Sequence, residues 1–342
     1  MKVLFYSPYL HILGGGERHL FSFAHCLSQQ HQVYVVWKNP HILTQAQDRF
    51  NLDLSQLKII PFLPPRFQLK AFDLLFFVSD GSIPFLPVGK SAVFFMSPFL
   101  NVHGHSLINQ IKLKFINHIV CNSHYTKKFI DAEFNINSTI IYPAVNLPKS
   151  RPQSKQNIIL SVGRFSRTLH QKNHQALIQA FIDLEPQLSG WKLVLVGGTE
   201  PGSEPVLQPL LDQARNHHII LKTDIPNQEL HKLYSQARIY WHAAGFGSDL
   251  IKHPQQAEHF GISVVEAMSY GCVPIVFAAG GPTEIVTSAS GITWDKLSEL
   301  KQQTLELIHN PQTWSKLSTA ACNRAKDFSP DNLCQKFHSL LH

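Results

Sequence analysis

Glu258 and Glu266 bracket the segment Glu258-His-Phe-Gly-Ile-Ser-Val-Val-Glu266, and their spacing is the first in the chain that suggests chemistry. A helix is expected to start at Phe260–Gly261, which leaves Glu258 in the loop before it and places Glu266 about a turn and a half along it. Backbone N–H groups at such a start, around Phe260, Gly261 and Ile262, can bind phosphate oxygens or sugar hydroxyls. Carboxylates beside them accept hydrogen bonds from sugar or ribose hydroxyls. Two unrelated glutamates on an exposed helix face are the bland alternative. The glycines around them and the apolar strand directly after them weigh against it.

Three further groups have the right residue types. Val162-Gly163-Arg164-Phe165 closes an apolar run, and Gln171-Lys172-Asn173 precedes a helical pattern. An arginine and a lysine at a strand's carboxyl end can grip a pyrophosphate, the first through forked hydrogen bonds and the second as a point charge. Taken alone they are better explained as solvated loop residues. Gly280-Gly281-Pro282-Thr283-Glu284 comes after the strand Val273–Phe277, and paired glycines there either let the backbone approach a ligand or simply make a turn. Gly14-Gly15-Gly16-Glu17 joins the first strand to the first helix. Gly15 and Gly16 suit a diphosphate or sugar contact, although the spacing is not the G-x-G-x-x-G of a dinucleotide site.

The elements that must position these residues alternate between short apolar runs and amphipathic stretches, the pattern of βαβ units and parallel sheets. Strands are expected at Lys2–Tyr6, Val33–Trp37, Leu57–Ile60, Leu74–Val78, Ala92–Met96, His118–Cys121 and Thr139–Tyr142, with helices from Glu17, Ser106 and Ser123. A polar, proline-rich stretch from Pro143 through Pro148 and Pro152 to Ser154 reads as an interdomain linker. The alternation then restarts with strands Ile158–Val162, Lys192–Val196, Ile219–Leu221, Arg238–Trp241 and Val273–Phe277. Helices Ala176–Leu184, Pro205–Arg215 and Ile262–Tyr270 lie between them. Helices broken at Pro311 and Pro330 fill the tail from Lys296 to Leu341. Two such sheets imply a ligand beyond the carboxyl ends of their strands.

The chain has 342 residues, 44% of them apolar, enough for two cores, and only 15% charged against the ~25% usual for globular proteins. Its 30 Lys and Arg outnumber 23 Asp and Glu, giving a net charge of +7 beside 20 His. That mild basicity suits a nucleotide diphosphate, a nucleic acid or an anionic membrane alike. The basic residues are dispersed, without the interleaved aromatics of a nucleic-acid surface, so no nucleic-acid partner is expected. The five cysteines form no C-x-x-C pair or zinc cluster and read as free, buried thiols in a reducing, cytoplasmic setting. No apolar run reaches the ~18 residues of a membrane span, so a soluble or at most peripheral protein is expected.

Taken together, these motifs resemble the family 4 glycosyltransferases, retaining enzymes of the two-domain fold known as GT-B. The resemblance runs nearly the whole length. It is carried by Gly14–Glu17, Asn122-Ser123, Ile141-Tyr142-Pro143-Ala144-Val145, Val162–Phe165 with Lys172-Asn173, Glu258–Glu266 with the adjoining Ala-Met-Ser-Tyr-Gly-Cys-Val-Pro, Gly280-Gly281, and Phe328-Ser-Pro. It implies two Rossmann-like domains facing across a cleft: an acceptor-side domain 1–148, a nucleotide-sugar domain 149–326, and a segment 327–342 whose helix returns to the first. It implies that Arg164 and Lys172 bind the donor diphosphate and, with Glu258 on the donor sugar, carry the catalysis. Glu266 would accept from the ribose hydroxyls. Amides of Phe260, Gly261, Ile262, Gly15 and Gly16 would complete the cradle. The implied reaction moves a hexose, with retention and without a metal or other cofactor, from a nucleotide-diphosphate sugar to a glycan or lipid-linked hydroxyl.

Many relatives carry a histidine after the strand that here ends Val93-Phe94-Phe95, whereas this chain has Met96 or Ser97. His103 and His105 come within ten residues, and His242 and Gly281 are further candidates for sugar or cleft contacts. The long loop Ala243–Ala257 either shapes a pocket or is a surface insertion. Ile108, Ile111, Lys112, Lys114 and Phe115 mix apolar and basic positions on one helix. That pattern fits either core packing or peripheral contact with the inner membrane face. Two other readings share the fold: a nucleotide-sugar epimerase, and a nucleotide-sugar-binding subunit without turnover.

Overall fold

The computed structural model describes residues 1–86, 89–148, 154–166, 172–200 and 202–341, leaving aside the side chain of Arg66. Gln171, and residues 149–153 of the expected linker, lie outside the described residues. The chain forms two units, Met1–Ala144 with Ser329–His342, and Val145–Phe328.

The first unit is a seven-stranded parallel sheet. In chain order its strands are β1 (Lys2–Tyr6), β2 (Gln32–Val36), β3 (Lys58–Ile60), β4 (Leu74–Val78), β5 (Lys90–Phe95), β6 (His118–Cys121) and β7 (Thr139–Ile140). Their order across the sheet is β3-β2-β1-β4-β5-β6-β7. The chain thus winds outward from β1 in one direction and from β4 in the other. Right-handed crossovers then fix which face each helix covers. α1 (Gly15–Ser28) and α2 (His41–Phe50) cover one face, and α3 (Arg66–Leu69), α4 (Leu107–Leu113) and α5 (His124–Phe134) the other. Ser106 and Ser123 start α4 and α5 as expected, each accepting a backbone N–H three residues on.

The second unit repeats the plan with six parallel strands. These are β8 (Gln156–Val162), β9 (Lys192–Gly197), β10 (Ile219–Thr223), β11 (Ala237–His242), β12 (Val273–Phe277) and β13 (Ile292–Trp294), in the order β10-β9-β8-β11-β12-β13. Its helices are α6 (His174–Leu184), α7 (Glu204–Ala214), α8 (Asn227–Gln236), α9 (Ile262–Ser269), α10 (Pro282–Ile285), α11 (Leu297–His309) and α12 (Pro311–Ala325). The last helix, α13 (Pro330–Leu341), belongs to the first unit. There Leu333, Phe337 and Leu341 are buried, and the Phe337 ring lies 4.6 Å from that of Phe23 and 5.6 Å from that of Phe76. Among the described residues no helix is long and apolar enough to cross a membrane.

One expectation fails here. Cys26 on α1 and Cys334 on α13 are joined as a disulfide, with Cα atoms 5.7 Å apart, so they are not free thiols. They lie 308 residues apart, and only the return of α13 onto α1 brings them together. Cys121, Cys272 and Cys322 are free.

His19 is buried in the same core, stacked 4.5 Å from Phe23 and edge-on to Phe94, and neither ring nitrogen has a hydrogen-bond partner among the described residues. Burial lowers its pKa from 6.5 to about 3. As pH falls below 6.5, the unfolded chain therefore takes up a proton that the folded chain refuses, and stability falls. At pH 5 this costs about 2 kcal/mol relative to neutral pH. His19→Leu is expected to remove that cost, so the variant's advantage over the parent in unfolding free energy should grow by about that amount between pH 7 and pH 5. Denaturant titrations at the two pH values measure it, and equal differences at both would contradict the assignment.

Candidate active site

β8 and β11 are neighbours in the second sheet, and the chain leaves them in opposite directions, toward β9 and toward β12. In open parallel sheets such a switch point opens a crevice at the carboxyl edge. The four charged residues singled out by the sequence reach this region by different routes. Arg164 comes just after β8, Lys172 precedes α6, Glu258 ends the loop after β11, and Glu266 lies on α9.

Glycines let the backbone close in. The Gly163 N–H donates to the Val196 carbonyl at 2.8 Å, and a Cβ on Gly197 would collide with the Gly163 carbonyl. A Cβ on Gly163 would sit 2.5 Å from Cγ of Lys172, so the lysine stem runs across that peptide. Its ammonium then reaches Glu258 at 2.5 Å, with the two side chains only 17% and 19% exposed. His242, the last residue of β11, places Nε2 3.4 Å from the same carboxylate oxygen. Burial alone would raise the Glu258 pKa, but the Lys172 ammonium and the His242 contact hold it well below the usual carboxylate range. Burial lowers the His242 pKa against the opposing pull of Glu258. A neutral imidazole therefore donates from Nε2 to an ionised carboxylate. Its Nδ1 has no hydrogen-bond partner among the described residues.

Arg164 is part-exposed, its guanidinium 3.5 Å from Glu200, which also accepts the Ser166 hydroxyl at 3.0 Å. Asn173, in a left-handed conformation at the start of α6, donates from its side-chain amide to the Ala243 and Phe246 carbonyls, both at 2.8 Å. It thereby ties the loop after β11 to the residue beside Lys172. Phe246 in that loop packs on Phe277 and Trp294, which anchors the Ala243–Ala257 loop at its root. Ile251 within it is exposed.

Gly261 caps α9 with φ of +110°, where any side chain is strained. The Phe260 side chain is buried, 5.5 Å from the Phe328 ring, so only its backbone is available to a ligand. Gly281 is buried too. Its N–H donates to the Glu258 carbonyl at 2.8 Å, and a Cβ there would lie 2.5 Å from the His259 and Phe260 carbonyls. The pair Gly280-Gly281 thus packs beneath the Glu258–Phe260 loop. Glu266 accepts the Tyr234 hydroxyl at 3.0 Å. Burial, with the negative charge of Glu266, raises the Tyr234 pKa well above its ordinary value, which keeps the phenol a donor.

The remaining candidates lie in the first unit. Gly15 and Gly16 form the first turn of α1 rather than a loop before it, and the Gly14 N–H donates to Glu17 at 2.8 Å. Met96 comes directly after β5 and packs on that turn, its sulfur lying 2.6 Å from where a Cβ of Gly16 would be. His103 and His105 are exposed and belong to the opposite edge of the sheet. The Asn101, Val102 and Gly104 N–H groups of their loop donate to Glu133. Glu133 lies at the end of α5, which has run back from the carboxyl edge toward the start of β7. Neither histidine shares an edge with Met96. Glu200 and Tyr234 were not singled out from the sequence, and Asn173 was named beside Lys172 without a role of its own. Asn173, directly after Lys172 and at the head of a helix, was the one whose position could have signalled it.

Two doubly wound parallel-sheet units define a chain of the GT-B architecture. The family described as Glycosyl transferases group 1 matches residues 145–324, more than half of the chain, and the chain belongs to that family. It is 26% identical over 261 residues to the alpha-1,3/1,6-mannosyltransferase ALG2 of Yarrowia lipolytica, covering 65% of this chain and 56% of that protein. The similarity to the GDP-Man:Man(3)GlcNAc(2)-PP-Dol alpha-1,2-mannosyltransferase of Dictyostelium discoideum is also 26%, covering 68% of this chain and 48% of that one. The chain thus spans about half the length of the curated relatives it matches. Among solved structures, Anabaena Alr3699/HepE in complex with UDP superposes with a TM-score of 0.72 at 17% identity, covering 100% of this chain and 99% of that one. A glycosyltransferase from Rickettsia africae ESF-5 gives 0.74 at 17% identity, covering 99% and 97%.

Gly281→Ala tests the packing beneath the Glu258 loop. The added methyl is expected to cost about 1–3 kcal/mol of stability. By displacing the Glu258–Phe260 loop it should also weaken nucleotide-diphosphate binding. Gly89→Ala, where a Cβ meets nothing nearer than 3.7 Å, is the control and should change neither. Thermal unfolding and calorimetric titration read both effects, and a Gly281→Ala protein that binds as the parent does would contradict the positioning role.

Proposed function

We propose that the chain transfers a hexose from a nucleotide-diphosphate sugar to a hydroxyl of a glycan or lipid-linked acceptor, with retained anomeric configuration, no metal ion and no other cofactor. The observation that carries this reading is the meeting of Lys172 with Glu258 beside Arg164 at the carboxyl edge of the second sheet, in a chain of the Glycosyl transferases group 1 family. Arg164 and Lys172 offer five and three donors, so each can hold a diphosphate oxygen while keeping its carboxylate partner. Neutralising the charge that grows on the leaving group in a partly buried setting is a large catalytic contribution. The backbone at the start of α9 receives phosphate or sugar oxygens. Glu258, ionised at neutral pH, accepts from sugar hydroxyls, and Glu266, oriented by Tyr234, from the ribose.

In this reading the bond between the anomeric carbon and the diphosphate oxygen breaks, and the bond to the acceptor oxygen forms on the same face. The acceptor proton passes to the departing phosphate, which leaves as the nucleoside diphosphate. No protein base is then required, and neither Glu258 nor Glu266 acts as a glycosidase carboxylate. The relatives named for GDP-Man and PP-Dol make a guanosine donor and a lipid-linked acceptor the first to try, while the UDP in the HepE structure keeps uridine donors in view.

The test is a thermal-shift screen with UDP, GDP, ADP and their sugar conjugates, without metal and again with magnesium. A cognate ligand at ~100 times its dissociation constant should add about 2.7 kcal/mol. The shift should need no metal and should be lost in Arg164→Ala, Lys172→Ala and Glu266→Ala. Folded protein that responds to no nucleotide would overturn the proposal. Release of epimerised free sugar without an acceptor would replace it with the epimerase reading.

A further inference from the structure

The face of the first sheet that carries α3, α4 and α5 ends, among the described residues, in an exposed apolar ridge. None of the seven residues of α4 is buried. Leu107 is 76% and Ile108 67% exposed, and Ile111 and Phe115 continue the same side at helical spacing. Four such residues are ordinarily the core face of a helix. Here the core beneath is filled by Ile83, Leu86, Val93 and Phe95, against which only Leu113 and Ile116 of this segment pack. Phe85, also exposed, meets the Phe115 ring at 5.6 Å, and the Lys112 ammonium donates to the Ile83 carbonyl at 3.0 Å. Loop and helix are thereby held as one ridge. α3 covers the same face, and Phe67 on it is 73% exposed.

The two chain segments that carry this ridge hold basic residues and no acidic ones, although the Glu133 carboxylate of α5 accepts from the loop that leads into α4. Between Asp80 and Asp131 the sequence contains no acidic residue, while Lys90, Lys112, Lys114, Lys127 and Lys128 fall in that interval. The interval between Asp53 and Asp73, which contains α3, likewise holds only Lys58, Arg66 and Lys70. Lys114 and Lys70 are exposed. A second copy of this chain would bring lysines against lysines. A projecting apolar ridge with lysines about it instead has the character of an interfacial helix.

We propose that this ridge seats the protein on an anionic bilayer, with Leu107, Ile108, Ile111, Phe115 and Phe85 entering the headgroup boundary and Lys114 and Lys70 facing lipid phosphates. The seat does not depend on the transfer chemistry, since vesicle binding is measured without a nucleotide. The full chain is sedimented with vesicles of phosphatidylcholine alone and with vesicles one third phosphatidylglycerol. Binding to the anionic vesicles is expected to be at least about tenfold tighter and to weaken with salt. The double variant Ile108→Glu/Ile111→Glu should lose it while keeping the parent's melting temperature, because neither side chain is buried. Lys114→Glu should weaken binding to the anionic vesicles only. Absence of binding to either vesicle, or binding unchanged in the double variant, would overturn the proposal. So would a dimer in sedimentation velocity that the same double variant disperses, which would make the ridge a self-association surface.

Discussion

The ion pair between Lys172 and Glu258 organises the carboxyl edge of the second unit. Removing one member of a largely buried pair leaves an uncompensated charge, at a cost of about 3–5 kcal/mol. The surrounding structure therefore has to hold both members, and it does so with backbone. Gly163 makes room for the lysine stem, Asn173 fixes the chain directly after it, and Gly280-Gly281 supports the loop that carries Glu258. The Lys172 charge chiefly keeps the acid ionised despite its burial, and His242 adds a neutral donor to the same carboxylate. The pair also spans the switch point, joining the connection from β8 to α6 with the loop after β11.

Much of this was legible in the sequence, for a physical reason. Strands buried on both faces read as unbroken apolar runs, and β1, β4, β6 and β12 fall where those runs predict, to the residue. Ser106 and Ser123 announced their helices through capping. The elements missed are the polar or short ones. α8 buries only Leu233 and Tyr234 of its ten residues, α2 shows a single thin stripe at Ile42, Ala46 and Phe50, and β13 has three residues. The glycine turn was expected before the first helix but forms its first turn, because Gly14 rather than Gly16 is the cap.

The site was less legible than the fold. Residue types and spacing singled out Arg164, Lys172, Glu258 and Glu266, but not the direct contact of Lys172 with Glu258. That contact is a property of two loops 86 residues apart. For the same reason Glu200 and Tyr234 passed unnoticed as partners of Arg164 and Glu266. His103 and His105 show the reverse error. They are near Met96 in the sequence, but the chain between crosses from one edge of the sheet to the other. Gly280-Gly281 was left open between an approach to a ligand and a plain turn, and a Cβ on either residue would meet the backbone of the Glu258–Phe260 loop.

The two units share a topology without sharing chemistry at equivalent positions. After β1 the amino end of α1 offers backbone N–H groups, but the Glu17 carboxylate accepts from the Gly14 N–H and Met96 packs against Gly16. After β8 the equivalent place carries an arginine and a lysine. A helix start attracts anions through partial charges, and a carboxylate already sitting there offsets that attraction. Two full positive charges with donors to spare are not offset in the same way by single carboxylate partners. If the second unit holds a donor's diphosphate as proposed, it does so through charge rather than through glycine content, which the first unit has in greater local density.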